Sequence, residues 1–333
     1  MTGRFTTTSV VFNLLCHLCC CCNAFAQERS SASPAEKSSE STFTDRTRDD
    51  EIRLGSRTAK GGFQNEDEIR DKFNNWQHDA DARIWLAAMN YKLDDLVSVR
   101  ASKPHGQKAD VELTVTTKTS QRREGISIKL VSTSTGFNQI DKRWLKTYAD
   151  MWAMPEEVQR ALKLFVGEEA ASTTGRDPKR LYLNEMDKAQ QQLVVDFFTK
   201  NRKQIVDNLF AGDGQHAAGW IMVTLKSPNS QNQLGESANL SHDISTAPKA
   251  TEKTKASNEL KASEAQWVIC PSQVAAEYFG DGPVQITAAG NLKIGRITMQ
   301  RKGGDNGRET ANMLQFKINP VELFSIRSKE LAN

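Results

Sequence analysis

The chain has 333 residues, 38% of them hydrophobic and 26% charged, with 20 glycines and 9 prolines. These proportions exclude a collagen-like or wholly disordered protein and leave a globular class with room for one large domain or two ordinary ones. The net charge of +3 is too mild alone to imply nucleic acid. With a mean hydropathy of −0.57 and no run of about 18 apolar residues, a multispanning membrane protein is also excluded.

The N-terminal stretch differs from the rest. Arg4, an apolar run around Val10–Cys22 and Ala24-Phe25-Ala26 follow the layout of an export signal with a small-x-small cleavage site. Asn13 and His17 interrupt the run, and the other reading is an upstream extension from a wrongly chosen start. Five of the six cysteines (Cys16, Cys19, Cys20, Cys21, Cys22) sit in this stretch, which leaves Cys270 alone in the body. One thiol can form neither an internal disulfide nor a Cys-based zinc site. His17, His78, His105, His216 and His242 show no HxxxH or HExxH spacing, so no zinc-hydrolase ligand set is visible. Residues 1–52 read as a leader followed by a linker too poor in apolar residues to build a core.

The body begins near Leu54. Glu66, Ile69, Phe73 and Trp76 have helical spacing, and Asp81–Asn90 predicts a second helix. Val97–Val99, Asp110–Val115 and Gly125–Val131 alternate apolar with polar, and the last two are predicted to form a hairpin across Thr117–Glu124. Helices are predicted over Lys142–Ala153, Pro155–Phe165 and Glu185–Leu209, then a strand over Gly219–Leu225. Residues 227–265 carry almost no large apolar side chain and read as a disordered insertion, since lengthening a surface loop costs little. The chain resumes with a strand at Gln266–Ile269, a short helix to Tyr278, and strands near Val284–Thr287, Leu292–Gln300 and Asn312–Ile318. The expected organisation is therefore 1–52 leader and linker, 53–226 an α/β part, 227–265 insertion, and 266–330 strands completing the same domain.

Three segments carry chemistry. Asp110 on one strand and Ser127-Ile128-Lys129 on the next match the arrangement of PD-(D/E)xK nucleases. Mg²⁺ takes oxygen ligands and keeps several waters; it polarises a phosphate and lowers the pKa of a bound water. A lysine two residues past the second ligand lies on the same strand face, where it can orient that water and offset developing charge. Taken alone the spacing is weak, and a solvent-facing strand with ordinary charges fits it too. Next, Gly136 to Trp144 reads as a glycine-started loop in which Phe137 could wedge between bases while Asn138 and Gln139 meet base edges. The alternative is a helix start with Phe137 as a hydrophobic staple. Finally, Gln300 to Lys317 places a Gly-Gly-Asp-Asn-Gly turn between two strands. It groups Gln300, Arg301, Lys302, Asn306, Arg308, Asn312 and Gln315 into a basic, amide-rich ribbon of the kind the major groove admits, or into a merely soluble hairpin tip.

With these segments in view, the chain resembles the small GCGC-cutting type II restriction endonucleases of the Hin-P kind. The residues that carry the likeness are Leu54 to Lys60, Gly62-Phe63-x-Asn65-Glu66, Lys129 to Ser132, Gly136 to Lys142 with Trp144, and an almost unbroken match from Gln300 to Ile318. The resemblance implies a mixed central sheet flanked by helices, with a β-rich C-terminal part that reads DNA. It also implies Mg²⁺ dependence and cleavage after the first G of GCGC. It assigns Asp110 as metal ligand, Lys129 as catalytic lysine, Phe137 as wedge, Gln139 as the side chain entering the opened step, and Glu66 as a supporting acid. Lys142 falls in the same DNA-contacting motif.

The chain departs from that family at two points. Ala109 precedes Asp110 where the family has serine, and Ser127 replaces a glutamine in a hairpin two residues shorter. Asp110, Ser127, the Ile128 carbonyl and, compensating for the shorter Ser127, Glu112 are the expected metal ligands. The expected partner is double-stranded DNA, with a cognate DNA methyltransferase in the same system and no membrane. The rival readings are a DNA-binding protein with a weakened site and a secreted nuclease. Missing disulfides favour the cytoplasm, and a palindromic target suits either a dimer or a monomer acting twice.

Overall fold

The computed structural model describes residues 48–132, 136–173, 175–226, 266–302 and 312–330. The expected leader, the 227–265 insertion and the Gly-Gly-Asp-Asn-Gly turn with Asn306 and Arg308 lie outside the described residues. In chain order come α1 (Arg48–Asn74), α2 (Ala80–Ala88), β1 (Leu96–Ser102), β2 (Val111–Thr117), β3 (Gln121–Val131) and β4 (Asn138–Trp144). Helices α3 (Leu145–Met151), α4 (Glu156–Val166), α5 (Lys188–Lys200) and α6 (Arg202–Ala211) follow. The chain continues with β5 (Trp220–Leu225), β6 (Gln266–Pro271), α7 (Ser272–Gly280), β7 (Val284–Ile286), β8 (Leu292–Ile294), β9 (Ile297–Arg301), β10 (Met313–Ile318) and α8 (Leu323–Glu330). Among the described residues no helix is long and apolar enough to cross a membrane.

The mixed α/β architecture expected from the sequence is present, carried among the described residues by two five-stranded sheets. The first has the order β1-β2-β3-β5-β6 and the second β4-β10-β9-β8-β7. Among the described residues only β3 and β5 run parallel; the other pairs are antiparallel. Both faces of the first sheet are covered, so its strands supply apolar side chains in both directions. Ile126, Ile128 and Met222 meet Ile69, Phe73, Trp85 and Leu86 of α1 and α2 on one face. Val131, Ile221, Val223 and Val268 meet the larger core built with α3 to α7 and the second sheet on the other.

Local chemistry explains several element ends. The Asp79 side chain accepts from the Ala82 amide and caps α2. Gly167, at φ 89°, closes α4 in the left-handed region. The single helix expected over Glu185–Leu209 is two. Asn201 leaves helical geometry and its side-chain amide donates to the Phe197 carbonyl at 2.9 Å, ending α5 and starting α6. The strand expected over Leu292–Gln300 is also two. A Cβ on Gly295 (φ 56°) would sit 2.6 Å from the Phe279 and Asp281 carbonyl oxygens, so only glycine makes that turn.

The largest correction concerns 136–144. Neither a loop nor a helix start, it forms β4, an edge strand whose status comes from pairing with β10. Lys142 and Arg143 extend that pairing, which delays the next helix to Leu145. Phe316 of β10 locks this sheet to the helices, its ring 5.2 Å from that of Tyr148 and 5.7 Å from that of Trp152. Phe316→Ala should lower stability by about 3–5 kcal/mol, read from urea midpoints at constant m-value.

Candidate active site

The site grows from the β2–β3 hairpin. Its register pairs Val111 with Ile126, and one step back sets Asp110 opposite Ser127, with the Asp110 amide donating to the Ile126 carbonyl at 2.9 Å. Because side chains alternate along a strand, Ile126 and Ile128 enter the core while Ser127 and Lys129 share the opposite face with Asp110. The Ile128 amide donates to Asp110 Oδ2 at 2.6 Å, Ser127 Oγ lies 3.3 Å from the same oxygen and Lys129 Nζ lies 3.7 Å away. Asp110, Ser127 and Lys129 line a polar cleft of about 470 Å³ that also takes in Gln139, Lys142 and Asp213. The loop carrying Asp213 closes on the hairpin at Gly125, where a Cβ would meet the Ala217 carbonyl oxygen at 2.1 Å.

Asp110 also borders a second cleft, of about 920 Å³, with Glu66, Arg70 and His105. Glu66 is ion-paired to Lys103 at 3.0 Å. Burial, together with the nearby Asp110 charge, raises its carboxyl above the ordinary range in spite of Lys103 and Lys129. The structure thus brings Glu66, Asp110, Ser127, Ile128 and Lys129 together. It does not bring Glu112 to them. That side chain is buried against Arg123, whose Nε is 3.2 Å away, and His216, whose Nδ1 is 2.8 Å away. Burial pushes the Glu112 carboxyl up, but these two partners pull it below its ordinary value, so it is committed to them rather than to a cation beside Asp110.

Among the described residues no group of three or more His, Cys, Asp or Glu converges on one point. Asp110 offers its carboxylate, the Ser127 hydroxyl lies beside it, and Glu66 adds a carboxyl across the neighbouring cleft. So sparse and purely oxygen a set fits a hard divalent cation that keeps several of its own waters.

The second sheet forms the other wall. Phe137, 61% exposed, precedes β4, which removes the buried-staple alternative. The β4–β10 register runs from Asp141↔Phe316 to Gln139↔Lys317, so Ile140 is a β-bulge. Rows of opposed residues follow: Lys142, Gln315 and Gln300, then Gln139, Lys317 and Thr298. Gln300 Nε2 donates to Gln315 Oε1 at 3.4 Å within the first row. The reverse face, with Leu314, Phe316, Ile318, Ile297 and Met299, is buried, so these polar rows make up the outer face. Asn312 precedes β10 directly, and the Lys302 amide donates to the Met313 carbonyl at the ribbon's base.

Two expected DNA contacts are engaged inside the protein instead. The Asn138 amide donates to the Leu130 carbonyl at 3.0 Å and ties β4 to β3. Arg301, its side chain 6% exposed, pairs with Asp177 at 3.0 Å and stacks 3.9 Å from the Tyr182 ring. Sequence reasoning also missed three residues. Lys317 lies two residues past Gln315 on the same face, and burial lowers its ammonium pKa. Asp213 had no motif to mark it. Neither had Lys108, whose Nζ donates to the Ile140 carbonyl at 2.7 Å and whose pKa burial pushes down to about 8.

Comparison with known proteins adds two findings. The family model described as R.HinP1I restriction endonuclease matches residues 89–254 and 249–324. Among solved structures, the chain is similar to restriction endonuclease MspI in complex with its cognate DNA, with a TM-score of 0.51 and 13% identity over 80% of this chain and 92% of that one. At that identity the likeness concerns the fold, which is PD-(D/E)xK-like. No curated sequence matches.

The Arg301–Asp177 pair yields a stability prediction. Arg301→Met takes one of two guanidinium partners from the partly exposed Asp177, which keeps Arg180 at 3.1 Å, and should cost about 1 kcal/mol. Burial raises the Asp177 carboxyl, but the Lys179 amide, Arg180 and Arg301 overcome it and hold the pKa below the ordinary value of 3.8. A depressed folded-state pKa means that the contribution is whole above that value and drains as pH falls through the lower one. Denaturant midpoints of wild type and Arg301→Met should therefore differ at neutral pH and converge only in acid below the depressed folded-state value of Asp177.

Proposed function

The chain belongs to the R.HinP1I restriction endonuclease family and is a type II restriction endonuclease, and on that premise we propose that it hydrolyses double-stranded DNA at GCGC, after the first G, leaving a 3′-hydroxyl and a 5′-phosphate. The observation that carries this reading is the single cleft that holds Asp110, Ser127 and Lys129 together with Gln139 and Lys142. A phosphodiester lying there would meet the cutting groups while the outer face of the second sheet met base edges.

The Asp110 carboxylate, the Ser127 hydroxyl and the Ile128 carbonyl would hold Mg²⁺, with Glu66 as a supporting acid at the rim. Bound there, Mg²⁺ supplies Lewis-acid polarisation of the phosphate and a water of lowered pKa. Lys129, held 3.7 Å from Asp110, donates to the attacking water and offsets negative charge gathering on the phosphoryl oxygens. Asp110 is itself oriented by the Ile128 amide, which fixes one carboxylate oxygen. On the reading side, exposed Phe137 would enter a base step and unstack it, with Gln139 following. Gln300, Gln315 and Lys142 would present amides and an ammonium to the groove, joined by Lys302, Asn306, Arg308 and Asn312 of the ribbon. Asn138 and Arg301, which have partners inside the protein, are left out of the proposed set. In a cytoplasmic setting, a cognate DNA methyltransferase would protect host sites.

Incubating the full chain with Mg²⁺ and plasmids of known sequence should give discrete fragments whose ends map to GCGC. Random smearing, or no product with either Mg²⁺ or Mn²⁺, would contradict this. Salt-sensitive retention of GCGC duplexes without any product would instead favour a binding protein weakened at Ser127. Asp110→Ala should abolish cleavage and leave duplex binding in place. Phe137→Ala should weaken binding by about 1–3 kcal/mol, the range for loss of one aromatic–base stack.

A further inference from the structure

We propose that Lys108 is a positioning residue that links the DNA-reading strand β4 to the cutting aspartate, so that fidelity of cleavage depends on it. The inference rests on the endonuclease reading and extends it. Lys108 lies two residues before Asp110 on the same approach to β2. Its Nζ donates to the Ile140 carbonyl at 2.7 Å and also to the Leu209 carbonyl. Ile140 is the bulged residue that the β4–β10 register skips, and its two sides carry Gln139 and Lys142. Leu209 is in the last turn of α6, where carbonyls lack intrahelical partners and a cation is favourable. The stem of Lys108 packs so closely on Gly212 that a Cβ there would sit 2.7 Å from Lys108 Cγ.

One ammonium therefore bridges the strand that meets DNA, a helix end and the segment leading into Asp110. A fixed link of this kind carries any displacement of β4 on a mismatched base pair directly into the segment that carries Asp110. A wrong sequence then misplaces the cutting groups instead of only weakening binding. Misplacement on the order of 1 Å is enough to slow a reaction about a hundredfold.

The test is single-turnover cleavage of a GCGC duplex and of a duplex altered at one base pair, for wild type, Lys108→Met and Lys108→Arg, alongside duplex affinity and thermal melting. Lys108→Met should lower the preference for GCGC at least about tenfold, chiefly because the altered duplex gains rate once its misfit no longer reaches Asp110. Lys108→Arg, whose guanidinium can still donate to two carbonyls, should keep most of the preference. If Lys108→Met does not fold, Lys108→Gln, able to reach one carbonyl only, is judged by the same ratio. Equal loss on both duplexes, or an unchanged ratio, overturns the proposal and leaves Lys108 a structural residue. Wild-type protein that cuts neither duplex overturns the endonuclease reading itself, and this inference with it.

Discussion

A half-buried carboxylate fixed by a neighbouring strand is what the rest of the molecule is arranged around. Asp110 is held through Oδ2 by the Ile128 amide at 2.6 Å, with Lys129 at 3.7 Å. Such a group is costly to hold unless each neighbour is fixed. The surrounding sheet achieves this through ordinary β geometry: residues two apart on β3 face the cleft while their apolar neighbours anchor the strand in the core behind it. Gly125 adds a close approach that no other residue permits, bringing the Asp213 loop against the hairpin.

On the proposed reading, the second sheet sets the DNA-reading residues next to the cutting ones. An edge strand with a bulge turns Gln139 and Lys142 toward the same cleft as Asp110. Edge strands with exposed polar rows are a hazard when they meet another sheet, but they suit a surface that must lie in a groove. The inner face is aromatic and packed, with Phe316 against Tyr148 and Trp152. The outer face is thereby held on a stiff support, as positioning for catalysis requires.

How much of this was legible in the sequence depended on periodicity. The β2–β3 hairpin was readable because Ile126 and Ile128 alternate with Ser127 and Lys129, and that alternation also fixed which residues would meet Asp110. Strand β4 was not readable: Asn138 to Trp144 is polar on both faces, and its identity comes from β10, far away in sequence. The bulge at Ile140 resets the face on either side, so no local pattern separates Asn138, which points inward, from Gln139. Arg301 was misassigned although the signal was present. Ile297, Met299 and Arg301 alternate, which puts the arginine on the apolar face, but a cluster of basic residues suggested solvent and DNA instead. Glu112 obeyed the alternation yet was claimed by Arg123 and His216, partners that only tertiary structure reveals.

The central claim is that a divalent ion at Asp110 and a duplex opened by Phe137 occupy one cleft. A crystal of the full chain with a GCGC duplex and Mn²⁺, with the ion located by anomalous scattering, tests it most directly. The expected result is a manganese peak at Asp110 within reach of Ser127, a backbone phosphate beside Lys129, and the Phe137 ring between base pairs. Manganese elsewhere, or a duplex bound on a surface remote from Asp110 with its bases fully stacked, would contradict it.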